Sequence, residues 1–291
     1  MSGGRRGGNT PFSFAALLVL GCIATDILAQ GDVQRGLYLS KAAGCLGCHT
    51  EAKPDAQPYA GGRALETPFG TFFGPNITPH PQAGIGRWSE EDFIRAMRRG
   101  LRPDGAHYYP AFPYPSFTRI SDGDLRDLWA YLRSLPPSSR ASPPHELGLL
   151  YRWRWPIWGW KLLYFSPGAF TPDPAHSQTI SRGAYLVNAL GHCGECHTPR
   201  NFLGGPKKDR HLAGAEVGDA TATNLTPTRL KKFSDEYLRE VLQTAMTPEG
   251  DILSEAMGEV VRNTTSQLTP QDLDALIAYL RSLPPLPDEP K

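Results

Sequence analysis

The apolar positions of this chain fall into short helical stripes, and the stripes occur twice. Leu125, Leu128, Trp129 and Leu132 follow the i, i+3, i+4, i+7 spacing of an amphipathic helix. Leu273, Leu276, Ile277 and Leu280 repeat the same stripe 148 residues later. Ser121 and Thr269 stand at the expected helix starts, Pro270 takes the favoured first helical position, and each stripe ends in a Pro pair. Upstream, Trp88-Ser89 and Phe233-Ser234 announce a middle helix. There Ser is the cap, and the preceding aromatic is placed to staple onto Phe93 or Leu238. A first helix is predicted over about 32–43 and again over about 178–190.

Short matching segments at a constant offset point to a duplication. Asn76-Ile77-Thr78-Pro79 is matched by Asn224-Leu225-Thr226-Pro227, and the run Ala130 to Pro137 by Ala278 to Pro285. The expected organisation is mainly α: two tandem three-helix domains, 31–137 and 178–285, joined by a linker at 138–177.

The first residues read differently. Arg5 and Arg6 precede an apolar run from Pro11 to Ala24 that Asp26 closes. A basic start before an apolar core too short to span a bilayer predicts an export signal over 1–29, cleaved after Ala24 or Ala29. A buried N-terminal helix, an uncleaved anchor or a lipoprotein modified at Cys22 are the alternatives.

Composition excludes some classes. With 40% hydrophobic and 20% charged residues the chain is neither disordered nor collagen-like. Its 30 basic and 29 acidic residues give no electrostatic case for nucleic acid. The 30 glycines and 28 prolines imply many turns and long loops between short helices.

The five cysteines carry the chemistry. Cys22 falls in the signal. The other four form Cys45-Leu46-Gly47-Cys48-His49 and Cys193-Gly194-Glu195-Cys196-His197, both C-x-x-C-H. This is the attachment signature of haem c: two thiols bond the porphyrin vinyl groups, and His49 or His197 ligates the iron. A redox disulfide or half a zinc site would not place His after each pair. Two covalently bound haem c groups are therefore expected.

The sixth iron ligands are expected to differ between the halves. Met257, in a loop before the last helix, is the axial candidate of the second half, while Met246 reads as packing. In the first half, aligning Asp104-Gly105 with Glu249-Gly250 places Phe112 opposite Met257, and phenylalanine cannot ligate iron. His107 is the candidate there. Met97 reads as packing rather than a ligand, and Tyr108, Tyr109 or a vacant or water-bound site are the alternatives to His107. Loss of a Met ligand lowers a haem potential, so electrons are expected to enter at the first haem and leave through the second. Each proximal His should donate its other N–H to a backbone carbonyl, and Arg200 is a candidate donor to a haem propionate.

Both halves resemble cytochrome c domains. The whole chain resembles the cytochrome c subunits of periplasmic alcohol and gluconate dehydrogenases. The likeness rests on Thr67-Pro68-Phe69-Gly70-Thr71, Asn76-Ile77-Thr78-Pro79, Gly84 to Ser89 and Tyr109 to Tyr114 in the first half. In the second it rests on Gly191 to Asn201. Those subunits usually hold three haems and this chain has motifs for two. The resemblance implies a periplasmic relay that takes electrons from a dehydrogenase and passes them to a quinone, another cytochrome or an oxidase. The alternative is a dihaem redox enzyme, of peroxidase or thiosulfate-oxidising type, using an open first haem; a gas or redox sensor is a third reading. Four of the six tryptophans (Trp153, Trp155, Trp158 and Trp160) fall in the linker with Arg152, Arg154 and Lys161. Packing across both domains is the reading favoured here, with a docking or peripheral membrane patch as its rival.

Overall fold

The computed structural model describes residues 1–4, 31–218 and 220–288. The expected signal over 1–29 lies almost wholly outside the described residues.

In the first domain, helix α1 (Val33–Ala42) leads into a short helix, α2 (Cys45–His49), that carries the first motif. A hairpin of β1 (Ala64–Thr67) and β2 (Gly70–Phe73) follows. Then come α3 (Glu90–Arg99), α4 (Tyr114–Phe117) and α5 (Asp122–Ser134). Helix α3 begins with the predicted cap, completed as a capping box in which Ser89 and Asp92 exchange hydrogen bonds with each other's backbone. Leu125, Leu128 and Leu132 of α5 are buried as the stripe requires.

The linker is structured. Strand β3 (Glu146–Leu147) pairs antiparallel with β2, and α6 (Pro156–Tyr164) lies against the first domain. Ile157 packs with Phe72, Tyr109 and Leu147, and Lys161 donates to the carbonyls of Arg99 and Gly100 at the end of α3. Toward the second domain, Trp160 donates to the Leu203 carbonyl and Asn201 donates to the Tyr164 hydroxyl.

The second domain repeats the plan with α7 (Gln178–Tyr185), α8 (Gly194–His197), β4 (Ala215–Val217), β5 (Ala220–Ala222) and α9 (Pro227–Leu230). It closes with α10 (Asp235–Thr244), α11 (Glu255–Asn263) and α12 (Pro270–Ser282). Helix α7 runs on into a π turn over Leu186–Leu190. The aromatic before α10 stacks on Tyr237, not on Leu238, with ring centroids 4.4 Å apart. Leu238 instead turns inward and is buried.

Within each domain the first and last helices cross at a glycine. A Cβ on Gly36 would lie 2.0 Å from the Asp127 carbonyl oxygen, and one on Gly183 would lie 1.9 Å from that of Ala275. No larger residue permits so close an approach. At the same crossings, Arg35 pairs with Asp124 and Asp127, and Arg182 holds Asp272 through two hydrogen bonds of 2.8 and 2.6 Å.

The two domains meet along one seam. Helix α2 of the first packs on α11 of the second, and α4 of the first packs on the π turn of the second. Arg63 pairs with Glu259 at 2.6 Å, and Ser116 donates to Glu195 at 3.1 Å.

Candidate haem sites

Each motif is presented by the same local device. The first helix of the domain ends, the chain turns through a left-handed residue, and a short helix lifts two thiols and an imidazole to one wall. The turning residue is Gly44, with φ +62°, in the first domain and His192, with φ +41°, in the second.

The proximal histidines are oriented alike. His49 donates Nδ1–H to the Pro75 carbonyl at 2.7 Å, and His197 donates Nδ1–H to the Thr223 carbonyl at 2.6 Å. That fixes the tautomer and leaves Nε2 free as an iron ligand. Burial lowers the pKa of both rings below the ordinary imidazole value, although the carbonyl bond works against it in each case. Neutral imidazole is the ligating form.

The carbonyls are placed by a second repeated element. Asn76 follows Pro75 directly, and its side-chain oxygen accepts from the Thr78 N–H and hydroxyl. Its amide donates to the carbonyls of Ser138 and Arg140. Asn224, after Thr223, binds Thr226 in the same way and donates to the Leu286 carbonyl. Asn76 and Asn224 thus tie the strip beside each histidine to the chain that follows the last helix.

Burial pushes the Cys45 and Cys193 thiols up to about 12, each with a smaller push from its motif partner. Cys48 and Cys196 are raised as well, chiefly by burial.

In the first domain the motif opens onto a cavity of about 510 Å³, within the range of small-molecule and cofactor pockets. Cys45, Cys48 and His49 form one wall, and Ile85, Phe93, Met97, Leu128 and Leu132 form an apolar floor. Phe112, Tyr108 and Tyr109 complete another wall. Arg102, His145 and Arg154 also line it. Arg154 lies over the Tyr109 ring at 4.4 Å and donates to the His107 carbonyl. Among the described residues it has no carboxylate within ion-pair distance. The Phe73 N–H donates to His145 Nδ1 at 3.1 Å, so that ring keeps its proton on Nε2. An apolar slot with thiols and an imidazole on one wall fits a haem, whose macrocycle is apolar; Arg102 pairs with Asp104, also in the lining, so Arg154 is the lining arginine left to suit an anionic propionate.

The sixth-ligand candidates take up different positions. Met257 is half-buried in the first turn of α11, not in a loop, because Ser254 caps that turn by accepting the Met257 N–H. Met246 is 43% exposed and does not pack in the core. Met97 is buried and lines the first cavity. His107 lies outside the cavity lining, its Nδ1 buried without a hydrogen-bond partner among the described residues. Burial, with the Lys161 charge nearby, lowers its pKa. Arg200 is engaged by Glu195 and by the Gly204 carbonyl.

The linker cations and His192 have no local signal in the sequence. His145 and Arg154 reach the cavity only because β3 docks on β2. His192 lies beside the second motif yet lines the cavity of the first.

The cytochrome c family pattern matches residues 33–136 and 180–284, the two domains just described. The chain belongs to the cytochrome c family. It is a cytochrome of two domains, mainly α, with two covalently bound haem c groups. It is 44% identical to a dihaem cytochrome c-type protein of Cereibacter sphaeroides, over 87% of this chain and 86% of that one. It is 38% identical to the fructose dehydrogenase cytochrome subunit of Gluconobacter japonicus, over 87% of this chain and 53% of the relative. It is 36% identical to the cytochrome c subunit of a quinone-dependent alcohol dehydrogenase of Gluconacetobacter polyoxogenes, over 95% and 62%. The cytochrome therefore spans the dihaem relative nearly whole, but only about half to two thirds of those two dehydrogenase subunits.

Proposed function

We propose that this cytochrome relays electrons from a periplasmic dehydrogenase to a respiratory acceptor: a quinone, another cytochrome or an oxidase. The observation that carries the reading is the pairing of two equivalent motifs, each with an oriented neutral histidine, across one seam. Relatives that are cytochrome subunits of dehydrogenases support the donor class. The alternative of a peroxidase or thiosulfate-oxidising enzyme draws no support from the relatives.

Cys45 and Cys48 hold the first haem and Cys193 and Cys196 the second, with His49 and His197 as proximal ligands. The haem iron supplies the redox chemistry, one electron at a time. The protein's residues do the rest. Pro75 and Thr223 fix the imidazoles, the apolar floor excludes water, and Arg154, with the Nε2–H of His145, would hold the carboxylates of the first haem, while Arg102 is paired with Asp104.

Met257 is the sixth ligand of the second haem in this reading. For the first haem, Phe112 occupies the matching place. His107 becomes a ligand only if its ring turns into the cavity, and Met97 already lines it. Spectra of the His107→Ala and Met97→Leu proteins decide between them. Without a Met at the position of Phe112 the first haem has the lower potential, and electrons enter there. A stepwise redox titration with the haems resolved tests this; a higher potential at the first haem reverses the direction.

Peripheral membrane contact is a second reading, favoured by one observation. Trp153, Trp155 and Trp158 are 66%, 71% and 60% exposed, with Leu149, Leu150, Leu162 and Leu163 exposed beside them. No acidic residue falls between Glu146 and Asp173. Exposed aromatic and aliphatic side chains with the exposed Arg152 among them, and no carboxylate, suit a lipid surface. Among the described residues no helix is long and apolar enough to cross a membrane. Flotation of the cytochrome with phosphatidylglycerol vesicles, lost in a Trp153, Trp155 and Trp158 to Ser triple variant, is the expected result. No flotation of the native protein removes this reading.

A further inference from the structure

His192 belongs to the second domain, directly before the haem-attaching Cys193, yet its side chain lines the cavity of the first domain. Among the described residues it is the one contribution of the second domain to that lining. Its ring lies 5.4 Å from the ring of Phe117, which lines the same cavity. Nearby, Ser116 binds Glu195 and closes the seam.

The backbone at this place shows that the side chain is retained against local preference. His192 has φ +41°, whereas the equivalent turn of the first domain uses Gly44 at φ +62°. The left-handed region disfavours a residue with a Cβ, and such strain in a packed site points to a role. In the first domain the same position needs no side chain. Gly44 faces Thr264 of the second domain, and a Cβ there would sit 3.1 Å from its hydroxyl. The tyrosine–aspartate contacts of the seam are reciprocal, Tyr38 with Asp272 and Tyr185 with Asp124. Here one half has glycine and the other an aromatic ring that enters its neighbour's haem cavity.

We propose that His192 is the contact through which the two haems exchange electrons. It is one residue from the thioether bond of the second haem and in the wall around the first. In the transfer, one electron leaves a ferrous iron, which becomes ferric, and reduces the other iron from ferric to ferrous. No proton moves and no bond changes. The ring replaces a gap with packed atoms, and electron tunnelling falls off more slowly through packed atoms than through a gap. This proposal rests on the two-haem relay described above.

The test uses the holoprotein with His192→Gly and His192→Phe. Glycine relieves the left-handed backbone, so the first variant keeps its fold, and phenylalanine keeps a ring in place. A pyridine haemochrome assay first counts haems per chain. Fewer than two in the native protein defeats the relay reading itself and not this proposal alone. Next, the haem methyl resonances of the first domain are recorded, and the haem-to-haem equilibration rate is measured after flash injection of one electron. The expected result in His192→Gly is a shift of the first-domain resonances and a rate slowed by roughly tenfold, equivalent to about 1.4 kcal/mol of barrier. Both haem potentials should stay at their native values, and His192→Phe should recover most of the rate. Native resonances and a native rate in His192→Gly overturn the proposal. So does a slow rate that tracks a changed potential, since His192 would then tune a haem and not bridge the pair.

Discussion

Tyr38 of the first domain donates its hydroxyl to Asp272 of the second at 2.5 Å, across 234 residues of sequence. Tyr185, at the equivalent place in the second domain, donates to Asp124 of the first, also at 2.5 Å. Each hydroxyl also accepts an N–H at the start of the other domain's last helix, from Thr269 and Ser121 respectively. A tyrosine of each domain thus completes the N-terminus of the other's closing helix.

Substituting Tyr38→Phe removes one such bond from a partly buried carboxylate that Arg182 still holds. A loss of about 1–2 kcal/mol is expected in urea unfolding, and a similar loss in Tyr185→Phe. A double variant no less stable than either single one would show that the seam does not contribute to cooperative unfolding.

The same cluster predicts an acid dependence. Burial raises the pKa of Asp272, but the hydrogen bonds from Arg182 and Tyr38 outweigh it and leave the group below its ordinary value of 3.8. A carboxyl depressed in the folded state contributes stability that is present above the unfolded value and lost as pH falls through the folded one. Asp272→Asn should therefore flatten the fall in stability below about pH 4, measured by thermal unfolding across that range.

Lys161 gives a dependence of the opposite kind. Burial lowers its pKa from 10.5 to about 8. Between those values the unfolded chain binds more protons, so this group makes stability rise as pH increases from about 8 to 10.5. A ¹³C-methylated lysine resonance with a midpoint near 8, absent in Lys161→Met, is the expected signature. A midpoint at the ordinary lysine value would show that the amine is hydrated.

The axial ligands predict opposite shifts in the two domains. Phe112→Met should restore a thioether to the first haem and raise its potential, leaving the second unchanged. Met257→Leu should lower the second alone. Resolved redox titrations read both, and a shift of the wrong haem would reassign the ligands.

Arg154→Gln should lower the potential of the first haem, because a positive charge beside the group favours the reduced, more negative state. A tenfold change in the reduction equilibrium is 59 mV for one electron. An unshifted first haem would show that Arg154 serves the linker and not the cofactor.

The helices were largely legible because their signals are local. Ser89, Ser121, Ser234 and Thr269 cap the helices they were expected to start. The two motifs were legible for the same reason: thiols and imidazole act together within five residues. What escaped was whatever depends on distant partners. Strand β3 is two residues long and exists only by pairing with β2. His145 and Arg154 acquire meaning only from that docking. His192 carries no such signal either, because nothing near it in sequence reveals the neighbouring cavity. Met257 was expected in a loop, since a single Ser254 cap before a nine-residue helix is a weak signal. The linker packs across the domains through Ile157 and Trp160, while Trp153, Trp155 and Trp158 stay exposed.

The Tyr–Asp exchange has a consequence for ancestry. Matched positions that satisfy one another in both directions form an isologous contact, the kind two identical subunits make about a two-fold axis. A lone ancestral domain with this tyrosine and this aspartate would have dimerised with its own copy. Fusing the copies through the linker makes that encounter intramolecular, at an effective concentration no free pair reaches. It also frees each copy to drift, and the glycine at one turn where the other has histidine is a mark of that freedom.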